Sequence, residues 1–109
     1  MKPLNHLSAW QVHDAIERGE ATPTAVVRAC LDRIAERNAQ VRAFTACDPA
    51  QALAAATLAE TTPPSPLRGV PFAVKDIFDT VDYPTEYGSA IYRGHRPAVD
   101  AGCVAIARH

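Results

Sequence analysis

The chain is poor in serine, with only Ser8, Ser65 and Ser89, and none of the three stands in a glycine-rich turn of the kind that presents a nucleophile. It also lacks a dominant charge. A net charge of -1, a pI near 6.4 and 11 scattered basic residues leave no field that would draw in nucleic acid or an anionic membrane. No stretch approaches the roughly 20 apolar residues of a membrane span, and the first six residues carry one lysine with no apolar run behind them. A cytoplasmic location is therefore expected, with no nucleic acid and no membrane as partner. Three cysteines, Cys30, Cys47 and Cys103, are too few, too separated and too far from paired histidines to suggest a disulfide framework or a zinc site. They are expected to be small, largely buried hydrophobes. Internal repeats are absent.

What remains is a globular composition, 48% hydrophobic and 21% charged over 109 residues, enough for one domain or part of one. Ser8 with Gln11 three residues later forms a capping-box pattern behind Leu7, and it predicts a helix from Ala9 to Arg18 stopped by Gly19. Thr22-Pro23 reads as a cap followed by proline at the first helical position, where its missing N–H costs nothing. In the helix that follows, Val27, Cys30, Leu31, Ile34 and Ala35 share one face, and Arg37 lies near the expected C-terminus. Val41–Cys47 reads as a short strand or an extended connection. Asp48-Pro49 repeats the cap-then-proline pattern and opens an alanine-dense helix reaching Glu60.

The three prolines within Thr61–Pro66 make a connector, so residues 1–60 read as a helical arm and residues 67–109 as a separate section. In that section the apolar run from Leu67 to Phe78 predicts a buried strand with Lys75 near its end. A long ordered loop should follow from Asp79 to Gly94, and a last helix should begin near Asp100. Alternation places Val70, Phe72 and Val74 on one side of the strand and Ala73 and Lys75 on the other. A lone lysine at a strand end is ordinarily a solvated terminus or half of an ion pair with a neighbour such as Asp76.

The wider motif changes that reading. Leu67-Arg-Gly-Val-Pro-Phe-Ala-Val-Lys-Asp-Ile, then Pro84-Thr-Glu-Tyr-Gly-Ser, then Pro97-Ala-Val-Asp-Ala resembles the amidase signature family, and the order of the earlier helices fits over nearly the whole chain. The resemblance implies an α/β fold: an N-terminal helical arm and the first strands of a mixed-sheet core, incomplete here. Exposed strand edges without partners should leave such a piece poorly packed or prone to aggregate.

By the same resemblance, Lys75 matches the lysine of a Ser, cis-Ser, Lys triad that hydrolyses carboxylic amides with no metal and no organic cofactor. The lysine must hold a neutral amine to accept a proton relayed from the nucleophilic serine, and burial among apolar residues is the means available. Asp76, if it faced the amine, would oppose this. The family's two serines lie downstream of the residues here, so the chain is expected to be a fragment, inactive alone, of an enzyme acting on a small-molecule amide. A second implied reading is part of an amidotransferase that works on aminoacyl-tRNA, and a third is a non-catalytic interaction module. Members of the amidotransferase type resemble Lys-Asp-Asn and Thr-Thr-Ala-Gly-Ser at the two motifs, whereas Ile77, Glu86 and Tyr87 look closer to the stand-alone amidases. Ser89 is expected to have a structural place, and the four histidines to stand isolated in polar surroundings. Tyr83, Tyr87 and Tyr92 should pack the loop.

Overall fold

The computed structural model describes residues 2–109, which divide into two compact units, one ending at Pro71 and the other covering Phe72–His109. The first unit is helical: α1 spans Ala9–Glu17, α2 Pro23–Val41 and α3 Pro49–Thr61, after a single 3-10 turn at Leu4–His6. Local chemistry sets each start. Ser8 Oγ accepts the Gln11 N–H at 3.2 Å while Gln11 Oε1 accepts the Ser8 N–H at 2.9 Å, which completes the capping box. Thr22 Oγ1 accepts from Ala25 N at 3.1 Å, and Asp48 Oδ1 from Gln51 N at 3.2 Å, with Pro23 and Pro49 opening the two longer helices.

The ends are equally local. At α1, the Gly19 N–H reaches Ile16 O at 3.0 Å and the Glu20 N–H reaches Ala15 O at 2.8 Å, the paired bonds that a left-handed residue after the helix permits. Gly19 supplies that conformation at φ 69°. α2 runs one turn past the expected basic residue Arg37 and ends with Arg42 left-handed at φ 54°. Asn38 then takes over the chain: its side chain donates to Phe44 O at 3.0 Å and accepts the Phe44 N–H at 2.9 Å. Residues 42–48 are thus the extended connection and not the strand.

α2 and α3 pack together, and Val26 and Val27 of α2, Ala56 of α3, and Val12 of α1 are the buried hydrophobes of this unit. Glu60 near the end of α3 accepts from Thr24 Oγ1 at 2.6 Å and from Thr24 N at 3.3 Å, which sets a carboxylate on the positive end of α2. The segment after α3 is laid down by Arg68, which pairs with Glu17 at 2.9 Å and donates to Thr62 O at 3.1 Å. Next to it Gly69, at φ 76°, lies so close to the arm that a Cβ there would fall 2.7 Å from Pro23 Cγ and 2.9 Å from Ile16 Cδ1. No side chain fits.

The strand expected over Leu67–Phe78 is not formed, and among the described residues there is no strand at all. Ser65–Val70 is bent by two turns, with Arg68 N bonded to Ser65 O and Val70 N to Leu67 O. Phe72, Val74, Ile77 and Phe78 are exposed rather than buried. A strand exists only through its ladder to a neighbour, and no such neighbour is among the described residues. The described residues thus form helices and ordered loops, and the sheet part of the α/β expectation is not met among them. The burial expected of the cysteines is corrected too: Cys30 is half-buried, and Cys47 and Cys103 are exposed in a connection and in the first turn of the last helix. Burial pushes the Cys30 thiol upward.

The second unit holds one helix, α4 at Gly102–Arg108, and a short 3-10 turn at Ala90–Tyr92 within the long loop. Val104, Thr80 and Thr85 are its buried residues. Gly19→Ala, with open space around it, should destabilise the first unit by about 1 kcal/mol through backbone strain alone. Gly69→Ala, which adds steric overlap with Pro23 and Ile16, should cost at least about 2 kcal/mol, both read by urea unfolding followed by circular dichroism.

Candidate active site

Lys75 and Asp76 open a tight turn in the second unit: Lys75 O accepts the Ile77 N–H at 2.7 Å and the Phe78 N–H at 3.0 Å. The Lys75 side chain is exposed, so the apolar burial expected around it is not provided by these residues. Nor does Lys75 take part in any ion pair among the described residues. The Asp76 carboxylate is engaged elsewhere. Its Oδ1 accepts the Glu86 N–H at 2.7 Å, a bond that joins the Lys75-Asp76 motif to the Pro84–Ser89 motif ten residues on.

Thr85 reinforces the junction. It is 1% exposed, its hydroxyl donates to Phe78 O at 3.4 Å, and its N–H donates to His95 O at 2.8 Å. The Glu86 carboxylate in turn accepts the Gly94 N–H at 2.6 Å, so the loop is closed on itself beneath the lysine turn. Sequence reasoning assigns no such part to Asp76, Thr85 or Glu86. The one cue is a polar Thr-Glu pair inside an otherwise tyrosine- and glycine-rich loop, following an acidic residue directly after the lysine.

Tyr87 follows, in the left-handed region at φ 54°, where a side chain costs about 1–2 kcal/mol. Its own contacts hold it there. The phenol donates to Asp79 Oδ1, and the ring meets Tyr92 edge-on at 5.1 Å and His95 at 6.1 Å. Tyr87 and Tyr92 thus pack the loop, and His95 belongs to that cluster instead of standing isolated. His13 is likewise not isolated, since it stacks on Trp10 at 5.6 Å. Ser89 has a structural place: its Oγ accepts the Ile91 N–H at 3.4 Å and caps the short turn.

Below the loop, Asp79 O accepts the Ala101 N–H at 2.8 Å, and Asp100 Oδ1 accepts the Val81 N–H at 2.9 Å. That backbone bond, with Arg108 Nε at 2.8 Å, holds the Asp100 carboxyl below its usual range. Arg108 also pairs with Asp82 and reaches Thr80 Oγ1 at 3.3 Å. Among the described residues no three His, Cys, Asp or Glu side chains converge as a metal site would require.

A family model described as Amidase matches residues 25–109. The chain is similar to the A subunit of the glutamyl-tRNA(Gln) amidotransferase of Chloroflexus aggregans, 39% identical over 106 residues that cover 93% of this chain and 22% of that protein. It is similar to the protein of the same name in Mycolicibacterium vanbaalenii, 41% identical over 118 residues covering 99% and 24%, and in Salinispora arenicola, 39% over 109 residues covering 95% and 22%. The chain spans about a quarter or less of the length of these curated relatives. No solved structure matches it.

The Asp79 carboxylate that accepts the Tyr87 phenol proton, together with desolvation, pushes that phenol above its ordinary range. Because the neutral phenol is the favoured form, its contribution to stability is full below about pH 10 and is lost as pH rises through the raised value. Asp79→Asn should move the Tyr87 titration down toward an ordinary phenol, as followed by ultraviolet absorbance in a pH titration.

Proposed function

The chain belongs to the amidase signature family, and from that premise we propose that it supplies the lysine arm of an amide-hydrolysing site, with Lys75 as the base of a Ser, cis-Ser, Lys triad. The observation that carries this reading is the bond between the Lys75-Asp76 turn and the Pro84–Ser89 loop, which makes one structural unit of the two motifs on which the resemblance rests. In the complete site, Lys75 in its neutral form accepts a proton passed through the bridging serine from the nucleophilic serine. The nucleophile then attacks the amide carbonyl, and the tetrahedral intermediate breaks its C–N bond as the proton returns through the relay to the leaving nitrogen, which releases the amine or ammonia and leaves an acyl-enzyme that water hydrolyses to the acid. Backbone N–H groups stabilise the oxyanion. Both serines come from sequence outside these 109 residues, and so do the apolar surroundings that favour the neutral amine.

A role within an amidotransferase, releasing ammonia from an amide for transfer to a tRNA-linked carboxyl, is favoured by the names of the relatives. The two readings share the same lysine chemistry and part only at the fate of the ammonia. Mixed-sheet pairing of the residue 70–75 segment, in an α/β core, belongs to the same proposal: exposed Phe72 and Val74 are the side chains such a core would cover.

The test is a graft of this chain in place of the matching 24% of the Mycolicibacterium vanbaalenii protein. Lys75→Ala in the graft should lower the rate of amide hydrolysis by about a thousandfold or more, with circular dichroism unchanged. Retained turnover would remove Lys75 from the chemistry.

A further inference from the structure

The Asp76 carboxylate has two possible employments beside Lys75: counter-ion to the ammonium, or acceptor for a backbone amide. We propose that Asp76 is a positioning residue, whose carboxylate fastens the turn that carries Lys75 to the Pro84–Ser89 loop through the Glu86 N–H. The inference rests on the role given to Lys75 above and deepens it, by assigning the residue that sets where the lysine stands.

Three observations support the assignment. The bond is short, 2.7 Å from Glu86 N to Asp76 Oδ1, as expected of an N–H donated to an ionised acceptor. Asp76 lies inside the turn closed by Lys75 O, to which Ile77 N and Phe78 N both donate, so anchoring Asp76 anchors the lysine backbone directly. The same turn is gripped a second time at Phe78 O by the buried hydroxyl of Thr85, the residue next to Glu86.

The loop that does the gripping is itself fixed. Glu86 Oε2 holds Gly94 N at 2.6 Å and Thr85 N reaches His95 O at 2.8 Å, so the anchor point is tied to the return of the chain and not to a free loop tip. Employed in this way, the carboxylate is withheld from the neighbouring amine. A carboxylate aimed at Lys75 would hold the lysine protonated, and a protonated lysine accepts no proton.

The discriminating variants are Asp76→Asn, which keeps a carbonyl acceptor without the charge, and Asp76→Ala, which removes both. In the 109-residue chain, residue-resolved amide hydrogen exchange should show Glu86 protection within about threefold of wild type in Asp76→Asn and lowered about tenfold or more in Asp76→Ala. In the graft, Asp76→Ala should lower kcat about tenfold or more with KM little changed, and Asp76→Asn should recover most of that loss. The pH at which kcat rises should be the same in Asp76→Asn as in wild type. Unaltered Glu86 exchange in Asp76→Ala would overturn the proposal, as would a shift of the pH dependence in Asp76→Asn, which would make Asp76 the counter-ion. Activity surviving Lys75→Ala would instead overturn the lysine assignment, and the exchange result would stand apart from it.

Discussion

Backbone N–H groups that neither helix nor sheet satisfies must find another acceptor, and in the second unit carboxylates fill that part. Asp76 takes Glu86 N–H, Glu86 takes Gly94 N–H, and Asp100 takes Val81 N–H. Each acceptor is charged, so each bond is stronger than a bond between neutral groups. A section with one seven-residue helix and little buried hydrophobe keeps a defined course through these bonds. The arrangement depends on ionised acids, and the unit should loosen as pH falls through the depressed carboxyl of Asp100.

The first unit solves the same accounting differently. Helices absorb their own amides, and the leftover groups at the ends are met by Ser8, Thr22, Asp48 and the turn at Gly19. Tertiary contact then needs only a few small residues: Val12, Val26, Val27 and Ala56 are buried, and Gly69 lets the chain close against Pro23 and Ile16. Small side chains bring backbones near, and the tolerance for added volume falls accordingly.

Legibility in the sequence followed the range of the interactions. The caps at Ser8, Thr22 and Asp48 act within three residues and could be read directly, as could the stop at Gly19. The left-handed end at Arg42 carried no glycine to announce it, and α2 therefore ran past the point where Arg37 suggested a close. The apolar run at Leu67–Phe78 has the composition of a strand, but strand formation is a property of two segments, and its partner is not among the described residues. Lys75 is singled out by its motif alone. Its tether was not legible, because Asp76 and Glu86 meet through a backbone amide, and no periodicity marks which loop N–H a carboxylate will choose.

The placement of the chromophores follows from the same division. The single tryptophan, Trp10, is exposed on α1 in the first unit, and Tyr83, Tyr87 and Tyr92 all belong to the second. Indole fluorescence therefore belongs to the helical arm alone, and phenol absorbance to the lysine-bearing loop alone. One sample carries two independent optical reporters, with no label to attach, for asking whether the arm and the loop come apart together or one after the other.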